Sequence, residues 1–494
     1  MSAGDPPHVL ARMFTAVRID APTRTSFARA GALSTVGLLA QGFLRFAAAF
    51  LVGRIAGGAE LGVLASAIAT ATILSLLWPT TTGSAASKFL AGARGAADRA
   101  EVSATAAHLR RRTVETTTLL ASVSVPVWLL LDGGSWAGAA SVAALTVAYS
   151  GYSFTRGVQF GVGQVPRAIG WDVTSVALGL AALAALLLAG VRGPALVLSL
   201  VLAYAAYTVA GWPYGVAGRP ARQRRRELDG FVALGVIGSL ASTGFLQLSQ
   251  IAARLVGGDA AAGQYAAALY LATPASMLAA SLSLVLLPSL AETWGRGDER
   301  GFHAQTDRAM RAFSVLVVGI FGSIVLCSRA LVELVWGAEF SRAADLLPVL
   351  VAAVLATNLG VVSVNALTSR SRRGMRLTMS ASLVGMTVGV TVWLVAGTRM
   401  GIDAIALGYL CGTVVIAAAV VVAAWRSGRH AWGPLFGKIA LGVAVFGAIA
   451  AVQRLADLPV LLDPVLAIAF LAAWWLLNRA EVARLPRPWS SRRR

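Results

Sequence analysis

Arg45 is the one member of the 42 Lys and Arg residues that lies inside a long apolar stretch, and Gln41 precedes it by four residues. On a helix that spacing puts both side chains on one face. In a second apolar stretch Gln247, Gln250 and Arg254 recur at i, i+3 and i+7, again on one face. Charged and amide groups inside apolar spans are expensive and usually face a bundle interior or an aqueous cavity. A guanidinium fork binds phosphate oxygens bidentately, and amides both donate to and accept from hydroxyls. The chemistry expected is recognition of an anionic, hydroxyl-rich molecule rather than bond making. Arg54 and Arg254, near helix ends, either join this lining or extend to the membrane interface.

Tyr149, Tyr152 and Arg156 share a face at i, i+3 and i+7, where the rings either stack on sugar or prenyl groups or form an interfacial aromatic belt. Asn358 and Asn365, seven apart, face the cavity or bond to neighbouring helices. Glu115 and Asp172 stand close to helix ends, as ion-coupling groups or as partners of Arg110 to Arg112 and of Arg167. Pro79, Pro126, Pro274 and Pro288 interrupt apolar stretches and are bending points or static kinks. Cys327 and Cys411 are single, and the four histidines have no metal-ligand spacing. There is no phosphate-binding Walker loop, dinucleotide fingerprint or nucleophile elbow. No catalytic residue, cofactor or metal is therefore expected, and the energy source is an ion gradient, the membrane potential or the substrate gradient.

The elements that position these residues follow from hydrocarbon thickness. About fourteen stretches reach the roughly 20 residues needed to cross it. They fall near 31–53, 61–82, 113–131, 136–155, 171–189, 194–215, 231–256, 264–288, 312–331, 343–367, 377–397, 403–425, 436–453 and 459–478. Sorted by parity, the gaps on the side of the N-terminus hold 34 of the Lys and Arg residues and the opposite gaps hold seven. One missed or invented span would scramble that split, so it supports both the count and an orientation with both termini cytoplasmic. The first 29 residues lack a short apolar core with a cleavage site, so the first span is expected to be retained. The net charge of +20 then reads as anchoring on anionic membrane lipids, not as nucleic-acid binding. With 494 residues and this many spans, no soluble domain fits.

The expected fold class is an all-α polytopic membrane protein. A parallel repeat suggests its organisation. The first span carries Gly42-Phe43-Leu44 and exits through Arg54, Gly57-Gly58, Glu60 and Gly62. The seventh carries Gly244-Phe245-Leu246 and exits through Arg254, Gly257-Gly258, Asp259 and Gly263. Two pseudo-symmetric six-helix bundles plus two C-terminal helices follow. The expected boundaries are an N-terminal cytoplasmic segment (1–29), a first bundle (30–215), a basic cytoplasmic linker (216–230), a second bundle (231–425), two extra helices (426–478) and a basic tail (479–494). Under the repeat, Arg45 lies opposite Gln247 across the pseudo-axis.

The exit Arg54-Ile-Ala-Gly-Gly-Ala-Glu60-Leu61-Gly62 resembles the signature after the first helix of polysaccharide flippases, members of the multidrug/oligosaccharidyl-lipid/polysaccharide exporter superfamily. Leu287-Pro288-Ser289-Leu290-Ala291-Glu292, with Gly297-Asp298, resembles the end of that superfamily's eighth helix. The resemblance implies a V-shaped pair of bundles around a cavity open alternately to each side, which turns over an isoprenoid-pyrophosphate-linked glycan. A glycan polymerase or export machinery is the protein partner that role implies. The lipid II flippase branch also has two extra C-terminal helices, but the Glu-Leu-Gly turn leans toward the polysaccharide branch. A cation-coupled multidrug exporter of the same superfamily is the alternative, and it should place acids deep in the first or seventh span, where there are none. A membrane-embedded glycosyltransferase would need a larger outer loop than Arg329 to Arg342 provides.

Overall fold

The computed structural model describes residues 27–96 and 98–483, and among these every regular element is helical. The chain forms two compact units, Met1–Ala266 and Ala267–Arg494. The first holds α1 (Phe27–Ala56), α2 (Gly58–Leu76), α3 (Pro79–Gly95), α4 (Arg99–Leu131), α5 (Trp136–Gly161), α6 (Val165–Leu188), α7 (Leu198–Gly211), α8 (Arg222–Ser239) and most of α9 (Phe245–Ala272). The second holds α10 (Met277–Gly295), α11 (Glu299–Leu326), α12 (Ser328–Val335), α13 (Ser341–Arg370), α14 (Arg372–Met400), α15 (Ile402–Gly428), α16 (Gly433–Leu455) and α17 (Asp463–Ala483). The basic N-terminal segment and most of the basic tail expected from the sequence lie outside the described residues.

Twelve helical stretches among the described residues are long and apolar enough to cross a membrane. The difference from about fourteen has two sources. The helical run 222–283 contains both the seventh and the eighth expected spans, and α5, the fourth, carries so many hydroxyls, glycines and tyrosines that it falls short on apolarity alone. The chain is an all-α multi-pass membrane protein.

Local chemistry sets the helix starts. The side chains of Asp98, Ser135, Asp298 and Ser371 accept hydrogen bonds from the backbone N–H of Glu101, Gly138, Gly301 and Gly374 at 2.9, 3.1, 2.8 and 3.0 Å. Each such cap satisfies a donor the helix itself cannot, a contribution of about 1 kcal/mol. The expected span 61–82 proves to be two helices. α2 stops at Leu76 and Pro79 opens α3, a position where the missing N–H costs nothing. Residues that the apolar pattern leaves in polar gaps are helical as far as Gly95 and again from Arg99 and from Arg222.

Within the first unit α1 packs against α6, and α5 is flanked by α3, α4 and α7. A buried cluster of Phe89, Leu90, Leu109, Phe154, Val158 and Leu228 joins α3, α4, α5 and α8. Within the second unit α15 packs against α13 and α14, and α11 receives both C-terminal helices, α16 and α17. A polar staple holds those two in place. Asp463, 1% exposed at the start of α17, accepts from Arg329 Nη2 at 3.0 Å and from Gln453 Nε2 at 2.7 Å. Gln453 also reaches the carbonyl of Leu326 at 3.1 Å.

Candidate functional site

Six of the residues singled out in the sequence converge in the first unit. From α1, Gln41 Nε2 donates to Asp172 Oδ1 at 3.2 Å and to Ser175 Oγ at 3.1 Å on α6. From α5, Tyr152 Oη donates to Asp172 Oδ1 at 3.0 Å, and Arg156 Nε donates to Asp172 Oδ2 at 3.1 Å. Asp172 is fully buried. The fourth helix in the group is α7. Its Tyr204 hydroxyl accepts from Arg45 Nε at 3.3 Å, and the Arg45 guanidinium lies 4.9 Å from the centre of the Tyr149 ring. Tyr152 touches both Tyr204 and Tyr207, with ring centres 4.9 and 4.8 Å away, and Tyr207 Oη donates to Gln159 Oε1 at 2.7 Å.

Sequence spacing explains how four helices meet here. Tyr149, Tyr152 and Arg156 line one face of α5, while Tyr204 and Tyr207 stand three apart on α7 and so share the face that meets it. Gly37, one turn before Gln41 on α1, leaves the space the ion pair fills. A Cβ there would sit 2.5 Å from Asp172 Oδ2 and 3.2 Å from Arg156 Nη2. Sequence reasoning missed Ser175, Tyr204, Tyr207 and Gln159, and the repeated i, i+3 tyrosine pair is the signal that finds them.

Asp172 is the partner of Arg156, across one helix pair. Arg167, the nearer arginine in sequence, instead reaches Gln164 Oε1 at 3.4 Å and the carbonyl of Ala210 at 2.7 Å. Glu115 does pair with its own neighbours, Arg111 at 2.7 Å and Arg112 at 3.4 Å.

The remaining residues have other settings. Arg254 is 6% exposed and bound by two carboxylates, Asp132 and Asp259, each at 2.6 Å, over the ring of Trp128. Both carboxylates come from the same unit, so the guanidinium is held by ion pairs where the end of α4 meets α9. Arg54 is exposed, and Gln247 is half-buried. Gln250 Nε2 donates to the carbonyl of Ala262 at 3.1 Å. In the second unit Asn365 Nδ2 donates to Ser283 Oγ at 2.9 Å, while Asn358 Nδ2 turns back to the carbonyl of Val354 on its own helix at 2.7 Å.

Two positions of the exit signature have a clear structural job. Gly57 starts α2 at φ 93°, ψ 178°, a conformation essentially confined to glycine. Glu60 accepts from the backbone N–H of Gly193 at 2.5 Å, which ties the start of α2 to the turn that leads into α7. In the second motif Gly297, at φ 74°, closes the turn after α10, and Asp298 caps α11.

Residues 114–345, a little under half of the chain, match the profile of a family described as polysaccharide biosynthesis protein. Solved structures match over far more of it. A multidrug resistance MATE family transporter of the MOP superfamily, in its inward-facing conformation, aligns with a TM-score of 0.65 at 15% identity over 79% of this chain and 94% of that one. This chain shares the fold of that transporter. An outward-facing MATE structure aligns at a TM-score of 0.58 and 13% identity, over 82% of this chain and 97% of that one. A MOP-superfamily transporter from Pyrococcus furiosus, whose reversed binding-pocket polarity suggests a different function for that protein, is also similar. It aligns at 0.57 and 14% identity, over 82% and 97% of the two chains. No curated protein sequence matches the chain. The MOP fold agrees with the superfamily the exit signature resembles.

Proposed function

We propose that the protein is a flippase that moves a lipid-linked oligosaccharide or polysaccharide precursor across the cytoplasmic membrane by alternating access. The observation that carries this reading is Arg45, half-buried and held between the ring of Tyr149 and the hydroxyl of Tyr204. The Arg45 guanidinium brings to the cluster a fork suited to phosphate oxygens. Tyrosine faces suit sugar rings. The buried Oε1 of Gln41, which has no hydrogen-bond partner among the described residues, suits a hydroxyl donor. The polysaccharide-biosynthesis match over residues 114–345 supports a glycan-related substrate. The basic bias of alternate gaps supports cytoplasmic termini.

The test is binding and translocation of a prenyl-diphosphate sugar by purified protein in liposomes, with dye resistance measured in a drug-sensitive host. The proposal expects glycan-lipid transport and no protection against cationic dyes. A specific observation keeps the cation-coupled multidrug exporter as the second reading: Asp172 is fully buried at the meeting point of three side-chain donors. Dye resistance that requires Asp172, with no glycan-lipid binding, would establish that alternative.

A further inference from the structure

Away from the Arg45 cluster, α4 and α8 present the same pattern to each other. His108, Arg111, Arg112 and Glu115 on one helix, and Arg222, Arg225, Arg226 and Asp229 on the other, both fall at i, i+3, i+4 and i+7. Together they line an open cavity of about 330 Å³, at the lower end of the range for small-ligand sites, about 300–1,000 Å³. Its two acids are already engaged. Glu115 is held by Arg111 and Arg112, and Asp229 by His108 at 3.1 Å and Arg112 at 3.4 Å. Arg222, Arg225 and Arg226 have no carboxylate partner among the described residues, and Arg225 Nε is buried without a hydrogen-bond partner. Five guanidiniums against two carboxylates leave the cavity strongly positive.

The setting is equally specific. Both helices turn from charged to apolar just beyond these residues. On the faces that line the cavity, the next turns expose Leu119 on α4 at 63% and Ile237 on α8 at 40%. A positively charged pocket at the head of an apolar, exposed surface matches a molecule with an anionic head and hydrocarbon chains. Guanidinium forks favour anionic phosphate over neutral heads through paired N–H donors.

We propose that the α4–α8 cavity binds the phosphate headgroup of a membrane amphiphile, with the chains lying along Leu119 and Ile237. The site uses no residue of the Arg45 cluster and does not depend on what that cluster transports. The chemistry is shared by a phosphatidylglycerol-type lipid, a prenyl diphosphate and free pyrophosphate, and the test separates them. Purified full-length protein is titrated with phosphatidylglycerol, phosphatidylcholine, a prenyl diphosphate and inorganic pyrophosphate. Parallel titrations use Arg222→Gln/Arg225→Gln/Arg226→Gln, and a control triple of equal charge, Arg300→Gln/Arg372→Gln/Arg373→Gln. The expected result is that the first triple weakens binding of the anionic amphiphiles on the order of 100-fold, because each basic residue contributes about 1 kcal/mol near an anionic head. The control triple should leave it within a few-fold. Equal loss in both triples, or equal affinity for phosphatidylcholine, would overturn the site. Pyrophosphate binding as tightly as the lipids would overturn the membrane source.

Discussion

Gly62 on α2 and Gly263 on α9 make reciprocal backbone contacts. A Cβ on Gly62 would stand 2.8 Å from the Gly263 nitrogen, and a Cβ on Gly263 would stand 2.6 Å from the carbonyl carbon of Gly58. Each glycine follows by five residues a glycine of the same unusual conformation, Gly57 (φ 93°, ψ 178°) and Gly258 (φ 73°, ψ −171°). The two exit motifs read as a repeat in the sequence therefore meet each other as local two-fold equivalents.

Gly62→Ala and Gly263→Ala should each lower thermal stability in detergent by an amount corresponding to about 1–3 kcal/mol, because neither backbone has room to yield. Gly92→Ala, where a Cβ meets nothing within 4 Å, is the control and should stay within roughly 0.5 kcal/mol of the parent. Equal stability of all three would remove the close crossing.

Arg45→Ala should abolish glycan-lipid transport at unchanged protein level in the membrane, and Arg45→Lys should restore it only in part, since an ammonium keeps the charge but not the fork. Transport assays on variants matched by immunoblot check this. Full activity of Arg45→Ala would leave the residue a packing role.

Arg156→Ala should be more damaging to stability than the pair Arg156→Met/Asp172→Asn. Removing one partner strands a buried carboxylate at a cost of roughly 3–5 kcal/mol, whereas neutralising both leaves no uncompensated charge. Unfolding midpoints in detergent decide it, and a double variant less stable than Arg156→Ala would sink the account.

His430 lies in the turn between α15 and α16, stacked on Trp432 at 4.5 Å and edge-on to His303 at 5.3 Å. Burial, then the neighbouring His303, push its pKa below the usual histidine value, with Asp307 opposing and Arg311 assisting. The unfolded chain therefore binds more protons as pH falls through about 6.5, so the stability this turn contributes is full above that pH and declines below it. Thermal unfolding between about pH 7.5 and 5.5 should show the decline, and His430→Phe should flatten it.

The proposed orientation predicts that cysteines at Ser371 and Ser427, in a background lacking Cys327 and Cys411, resist an impermeant thiol reagent in intact cells. One at Met400 should react. Labelling at Ser371 from outside would reverse the assignment.

The spans were legible because hydrocarbon imposes a length and a composition on every crossing helix. The break at Leu77–Trp78 was not, since an apolar run reads the same whether or not its backbone is continuous. Gln41, Arg45, Tyr152, Arg156 and Asp172 stood out as polar groups in apolar surroundings, yet only the packing of α5 on α6 and α7 makes one cluster of them. The pairing of Asp172 with Arg156 in preference to Arg167 is a matter of which helix faces α6. The partners of Arg254 were half legible for a related reason: Asp259 is five residues on, but Asp132 lies 122 residues away in the chain.

The hydrogen bonds that join Gln41 to Asp172 and Ser175, and Arg45 to Tyr204, have a mechanical consequence. They cross from α1 to α6 and α7, and the Arg156 and Tyr152 bonds cross from α5 to α6. Sliding any one of these four helices by a fraction of a turn breaks more than one bond between helices, since Tyr207 also ties α7 to Gln159 on α5. The quartet therefore moves as one stiff body, and whatever flexing a transport cycle demands of this unit is displaced to its periphery.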